Sequence, residues 1–291
     1  MRASIQIPNF TWPGGTESIG PTLARIGRAA EGAGLDTVWV MDHFFQLDGL
    51  GGPENPMLEA YTVLGYLAAV TERVRLGTLV TGVSYRAAGH LAKTVTTLDV
   101  LSGGRAWLGI GAGWNEREAR GLGLPFPPVA ERFELLEETL QALIQVWAGD
   151  RAPFEGTQVR FAEPIFSPPA LSVPHPPIMI GGGGERKTLR LVARYADACN
   201  LFSAFGEETL IRKLDVLKRH CEEVGRDDAE ISKTVYVTAD PSGEAPPEII
   251  ERCTALAQLG FDHVIFNIPN DFEIEPIEAL GRDVLPALAE L

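Results

Sequence analysis

Asp42 and His43 stand side by side at the end of an otherwise apolar run, Asp36–Met41 (DTVWVM). A histidine there can exchange protons near neutral pH, and a carboxylate next to it can orient the ring or raise its pKa. The plainer alternative is an aspartate capping the next loop with a histidine packed beneath it. A second stretch, Gly181–Thr188 (GGGGERKT), feeds Gly181, Gly182, Gly183 and Gly184 into a helix expected to begin near Glu185. Free backbone N–H groups at a helix N-terminus suit a phosphate, and Arg186, Lys187 and Thr188 add donors. A turn that only reverses the chain is the other reading. The third stretch is Gly103–Phe126 (GGRAWLGIGAGWNEREARGLGLPF), with Gly109, Gly111 and Gly113 interleaved with small or apolar residues. A strand ending in such residues lets a flat ring approach the backbone, because no Cβ intervenes; a glycine-rich strand end in a crowded core would look the same.

Other chemistries are excluded. Gly181–Thr188 is not a nucleoside-triphosphate loop, because Arg186 stands where the second glycine must be. No G-x-G-x-x-G follows a strand, no H-E-x-x-H occurs, and no nucleophile elbow is present. The five histidines have no ligand spacing, and Cys199, Cys221 and Cys253 contain no CxxC, so neither a metal nor a disulfide framework is expected. A formal net charge of −14 argues against nucleic acid and anionic membrane surfaces as partners. No apolar run reaches membrane-spanning length, and MRASIQIPNF has no secretory apolar region, so the expected location is the cytoplasm.

The elements that must position these residues alternate. Strands are expected at Ala3–Pro8, Asp36–Met41, Val74–Val80, Ala106–Ile110, Ile178–Ile180, Ala198–Phe202, Ile231–Thr238 and His263–Asn267. Helical patterns follow each: from Gly20-Pro21 through Leu23, Ile26 and Ala30; Leu58–Val70; Leu91–Leu101; Phe133–Trp147; Leu189–Tyr195; Leu210–Leu217; Ile249–Leu259; and Ile277–Val284. Eight such units predict an α/β fold, a (β/α)8 TIM barrel forming one domain over residues 1–291, with a doubly wound sheet as the runner-up. The proline-rich residues 150–177 read as an insertion between units four and five. In a barrel the working residues sit at the C-terminal strand ends. That would bring Asn9, Asp42-His43, Thr78–Thr81, Gly111–Gly113, Gly181–Gly184, Asn200 and Asn267 to one mouth. The loop Phe44–Pro56 is long enough for a flap over it, or for a surface excursion.

IPNF (Ile7–Phe10), VWVMDHFF (Val38–Phe45), RLGTLVTGVSYR (Arg75–Arg86), LAKTVTTLDVLSGGRAWLGIGAGWNE (Leu91–Glu116), LGLPFPP (Leu122–Pro128) and PPIMIGGGGERKTLRLVARYADACNLF (Pro176–Phe202) resemble the luciferase-like flavin and deazaflavin oxidoreductases. The likeness is closest to the actinobacterial coenzyme F420-dependent oxidoreductases. It implies a (β/α)8 barrel and a non-proline cis peptide at Leu79–Val80, within Thr78-Leu79-Val80, beside a deazaflavin ring. It implies that Gly111, Ala112, Gly113 and Asn115 line the ring and its tail, that Gly181–Gly184 hold the side-chain phosphate, and that Asp42 and His43 lie beside ring and substrate. One departure is visible: many relatives carry His-Pro where this chain has Ala87-Ala88.

These readings converge on hydride transfer between F420 and a small organic substrate, with His43 as proton donor or acceptor and Asp42 as its neighbour in the cofactor site. An FMN-dependent monooxygenase of the same fold is the alternative within enzymes, and a non-catalytic cofactor-binding or partner subunit the alternative outside them. The resemblance also implies a homodimer.

Overall fold

The computed structural model describes residues 1–291. Eight parallel strands, β1 Arg2–Ile7, β2 Thr37–Val40, β3 Arg75–Thr78, β4 Ala106–Gly111, β5 Ile178–Gly181, β6 Ala198–Phe202, β7 Ser232–Thr238 and β8 His263–Asn267, are hydrogen-bonded in chain order. The ring closes where Ala3 of β1 stands opposite Val264 of β8. This is the closed (β/α)8 barrel, not the open sheet. After β3 the chain breaks at Leu79–Val80, whose peptide bond is cis as the resemblance implies. It resumes as a two-residue strand, Thr81–Gly82, beside Ile110 and Gly111.

Every residue of β2 and β4 is buried, which is why both read as unbroken apolar runs: helices cover one face and the barrel interior fills the other. The interior is packed by Trp39, Trp107, Met179, Ala198 and Ile265. The two indoles meet edge to face at 5.8 Å. Gly77 makes room for them, since a Cβ there would stand 2.5 Å from the Trp39 ring.

The helices that follow are α1 Thr16–Gly32, α2 Ala60–Val70, α3 Ala88–Ser102, α4 Glu116–Gly121, α5 Val129–Trp147, α6 Thr188–Tyr195, α7 Glu207–Val224 and α8 Pro246–Gln258. A helical segment over Glu275–Leu288, wound as a π-turn at Leu280–Val284, closes the chain against α1. Between α5 and β5 lies a small antiparallel hairpin, Phe154–Glu155 with Arg160–Phe161.

Two helix starts differ from the sequence expectation. α1 begins at Thr16, ahead of Gly20-Pro21, after a turn in which Gly15 N bonds the Trp12 carbonyl and the Ser18 hydroxyl lies 2.8 Å from the Pro13 and Gly15 carbonyls. Pro21 therefore sits inside the helix, where it forfeits one backbone bond. α6 begins at Thr188 rather than near Glu185, with Leu189 N bonded to the Gly184 carbonyl at 3.0 Å. Glu185–Lys187 form a turn ahead of it.

Candidate active site

A cavity of about 410 Å³ opens at the C-terminal ends of the strands. Asp42, His43, Leu79, Val80, Gly111, Ala112, Gly113, Gly181 and Gly182 all line it, as does Asn200. Four of the other expected site residues are placed differently. Thr78 is buried beneath the wall, its hydroxyl donating to the Gly109 carbonyl at 2.8 Å. Asn115 caps α4, its Oδ1 accepting from Glu118 N at 3.4 Å. Gly183 and Gly184 lie past the cavity rim: Gly184 opens onto a neighbouring shelf with Arg186, Lys187, Arg190 and Lys213, and Phe133 borders both spaces. Of the strand-end residues expected at the mouth, Asn9 and Asn267 bond to Thr11 and Thr238 instead of lining the cavity.

The glycines act differently from the expectation that they simply admit a ring. A Cβ on Gly181 would stand 2.8 Å from Val80 Cγ1, one on Gly111 3.2 Å from Val80 Cγ2, and one on Gly109 3.2 Å from Val80 Cγ1. Gly111 and Gly181 are thus spacers for one side chain, Val80, which the bend after β3 pushes into the barrel mouth, while Gly109 is held bare chiefly by the Thr78 carbonyl, 1.8 Å from where its Cβ would stand. Open backbone is left at Gly113 and Gly182, with φ of 74° and 107° respectively, values that favour glycine.

Asp42 does not orient His43. It accepts a two-pronged bond from Arg86, Nη1 to Oδ2 at 2.5 Å and Nη2 to Oδ1 at 2.9 Å. Arg86 also pairs with Glu59 and lies 4.8 Å from the centre of the Tyr61 ring. Burial pushes the Asp42 carboxyl above its ordinary value, opposing the guanidinium, which favours the carboxylate. Arg86 is desolvated too, but its bonds to Asp42 prevail and hold it firmly protonated.

His43 is oriented by Glu118, a residue the sequence reading missed. Nδ1 of His43 lies 2.6 Å from Glu118 Oε1, and Glu118 is fully buried. The same carboxylate accepts from Phe44 N at 2.8 Å, from Phe45 N at 3.1 Å and from the Tyr85 hydroxyl. Burial works against the Glu118 charge, but the bonds from His43, Tyr85 and the Phe44 amide hold its pKa below the ordinary carboxylate value. An ionised carboxylate only accepts, so Nδ1 of His43 carries its proton toward Glu118. Nε2 has no protein partner. Tyr85 is buried beside the same charge, so its pKa is raised and its hydroxyl remains a donor. The only sequence signal for Glu118 was the charged turn after Asn115, too short to show where it points.

The same bonds fix the base of the loop expected to be a flap. Phe44 and Phe45 are tied to Glu118, and the buried Gln46 donates to the Pro8 carbonyl at 3.1 Å.

The fold and cavity define a parallel barrel whose mouth pairs an oriented histidine with a glycine-walled chamber of cofactor size. The luciferase-like monooxygenase family model matches residues 1–245. The chain belongs to that family. An F420-dependent glucose-6-phosphate dehydrogenase of Microbacterium testaceum is 29% identical, covering 96% of this chain and 97% of its own. Among solved structures, monooxygenase RslO1 of Streptomyces bottropensis superposes with a TM-score of 0.81 at 19% identity, covering 98% of this chain and 99% of that one. The coenzyme F420-dependent tetrahydromethanopterin reductase of Methanopyrus kandleri gives 0.80 at 17% identity, with 99% of both chains covered. At such identities the two structures speak for the fold.

Proposed function

We propose that this chain is a coenzyme F420-dependent oxidoreductase acting on a small organic substrate. The observation that carries the reading is the His43–Glu118 pair, which opens onto a chamber walled by Leu79-Val80 and by backbone at Gly111–Gly113. The F420 dependence named for the full-length relatives supports the choice of cofactor.

The chamber suits a flat tricyclic ring with a phosphorylated tail. Val80 offers an apolar face, Ala112-Gly113 and Gly182 offer backbone without obstructing side chains, and the shelf beyond Phe133 carries four cationic residues against one carboxylate, Glu185. Leu79, Val80, Gly111, Ala112 and Gly113, with Asp42 and His43 beside them, would hold the ring. Gly182, Gly183 and Gly184, with the Thr188 hydroxyl, would hold the phosphate. When bound, F420 supplies the donor or acceptor of the hydride. The protein supplies the proton: Nε2 of neutral His43 accepts one from a substrate hydroxyl, and His43 in its protonated form returns one to a carbonyl. Glu118 keeps the ring from turning and stabilises the charged form, while Asp42, neutralised by Arg86, shapes the wall.

We further read residues 1–291 as one domain with 150–177 inserted in it, working in the cytoplasm as a homodimer. Support for the dimer comes from large apolar side chains left exposed, among them Leu101, Leu171 and Val173. The test is a pair of fluorescence titrations of the purified protein, with F420 and with FMN. Saturable binding of F420 at lower concentration than FMN is expected; preference for FMN would transfer the chain to the flavin monooxygenases.

A further inference from the structure

The chamber is notable for the charge it lacks. None of its lining residues is a lysine or arginine; its ionisable groups are Asp42, His43 and Tyr85. The nearest guanidinium, Arg86, has a side chain only 7% exposed and is occupied by Asp42 and Glu59. Arg132 is buried as well, donating to the Pro127 carbonyl at 2.7 Å and stacked 4.0 Å from the Phe126 ring centre. The cations nearest the chamber after these lie on the shelf at Gly184, beyond Phe133, where Glu185 pairs with Lys213 and Glu137 with Arg190. Lys213 is partly spent even there, donating to the Gly183 carbonyl at 2.5 Å.

The mouth also carries an aromatic cluster, which meets the shelf where Lys213 lies over the Phe205 ring at 5.3 Å. Phe202 meets Phe205 at 5.7 Å and Tyr236 at 5.4 Å, both edge to face. Trp114 stands over His43 at 5.5 Å and is 66% exposed. Large apolar rings left in water at a cavity mouth mark a surface meant to be covered. One neutral donor is also on offer: Asn200 accepts from Thr234 through Oδ1 at 2.9 Å, which leaves its Nδ2 without a protein partner.

An anion entering this half of the chamber would exchange its hydration for aromatic edges, with no cation in the lining to replace it, under a net charge of −14. Phosphate recognition needs cations or a helix N-terminus; the cations lie outside the chamber lining, and the start of α6 at Thr188 is taken by the cofactor phosphate in the reading above.

Building on the oxidoreductase reading above, we infer that the substrate is an uncharged, largely apolar alcohol or its carbonyl counterpart, and that phosphorylated sugars are not accepted. Its apolar body packs on Trp114 and Phe202, and its oxygen reaches Nε2 of His43 or Nδ2 of Asn200.

The test uses the F420-loaded protein, with tryptophan fluorescence and calorimetry as readouts that need no turnover. The probes are benzyl alcohol, cyclohexanone and glucose 6-phosphate. The neutral probes are expected to bind saturably and to perturb the emission of Trp114, with glucose 6-phosphate giving no heat. Trp114→Ala should weaken benzyl alcohol binding on the order of tenfold, the worth of one aromatic contact. Phe202→Lys should weaken it too and admit glucose 6-phosphate. Binding of glucose 6-phosphate to the parent protein in competition with cyclohexanone overturns the inference, and so does failure of both neutral probes. The F420 titration fails separately: a protein that takes up FMN instead, yet binds benzyl alcohol, loses the F420 reading and keeps the substrate class.

Discussion

His43 and Glu118 are joined at 2.6 Å, while Asp42, the neighbour of His43 in sequence, turns to Arg86. Adjacent residues of an extended chain point to opposite sides. The pair that looked like one catalytic unit is therefore two, a proton-carrying site built with Glu118 and a buried ion pair built with Arg86.

His43→Ala is expected to lower kcat by about 10²–10⁴-fold, the range for a positioned acid–base group. F420 affinity, measured by fluorescence, should change much less. Turnover near that of the parent across the pH range would assign His43 to packing.

Glu118→Gln keeps the shape but replaces an acceptor-only group with one whose amide is a donor. That amide meets the Phe44 and Phe45 N–H groups or the Tyr85 hydroxyl, all donors. A loss of about 10²-fold in kcat, with F420 binding retained, is expected when the histidine is no longer oriented. The Glu118 pKa is lowered on folding, so its stabilisation is complete above the ordinary glutamate value and fades as pH falls through the lower folded value. Acid melts of parent and variant should converge in that low-pH window. Unaltered kcat in the variant would remove Glu118 from the proton-carrying site.

The barrel was legible because β2 and β4 are buried on both faces and so must be continuously apolar. The start of α1 was not, because it follows a turn bonded through Gly15 N and the Ser18 hydroxyl, a matter of geometry that Gly20-Pro21 outweighed in the pattern. Glu118 was hidden for a similar reason: it lies 75 residues from His43, and no local spacing encodes a contact made across strand ends. The glycines at 109, 111 and 181 stand where backbone or side chain comes close, the Thr78 carbonyl at Gly109 and Val80 at Gly111 and Gly181, and which group approaches follows only from the path of the chain after β3.

Gly109→Ala tests the apposition of β3 and β4. The new Cβ would lie 1.8 Å from the Thr78 carbonyl oxygen, a backbone atom that cannot swing aside. Destabilisation above about 3 kcal/mol is expected in urea unfolding, beyond ordinary overpacking. A variant as stable as the parent would mean that β3 and β4 are not so closely apposed.

Gly183→Val probes the tail site instead. Its Cβ would meet Phe205 at 3.1 Å and Lys213 Cε at 3.2 Å, both on side chains that can yield, so the fold should survive. F420 binding is expected to weaken, because the added isopropyl group covers the backbone assigned to the phosphate. Full affinity in a folded variant would place the phosphate elsewhere.

Asp271 provides a prediction about pH. It lies after β8, buried, with Oδ1 accepting from Trp12 Nε1 at 2.8 Å and Oδ2 left without a partner. Burial pushes its pKa up to about 7, against the opposing bond from Trp12. A carboxyl raised on folding binds its proton more tightly in the folded chain than in the unfolded one. Stability therefore falls as pH climbs from the ordinary aspartate value toward the folded one, and is fully reduced above it. Asp271→Asn keeps an acceptor for Trp12 and removes the titration. Its melting temperature should exceed that of the parent at pH 8, by a margin that shrinks as the pH is lowered toward 4. Equal melting temperatures at both pH values would show that Asp271 is ionised in the folded protein at no cost, solvated in a way its burial does not suggest.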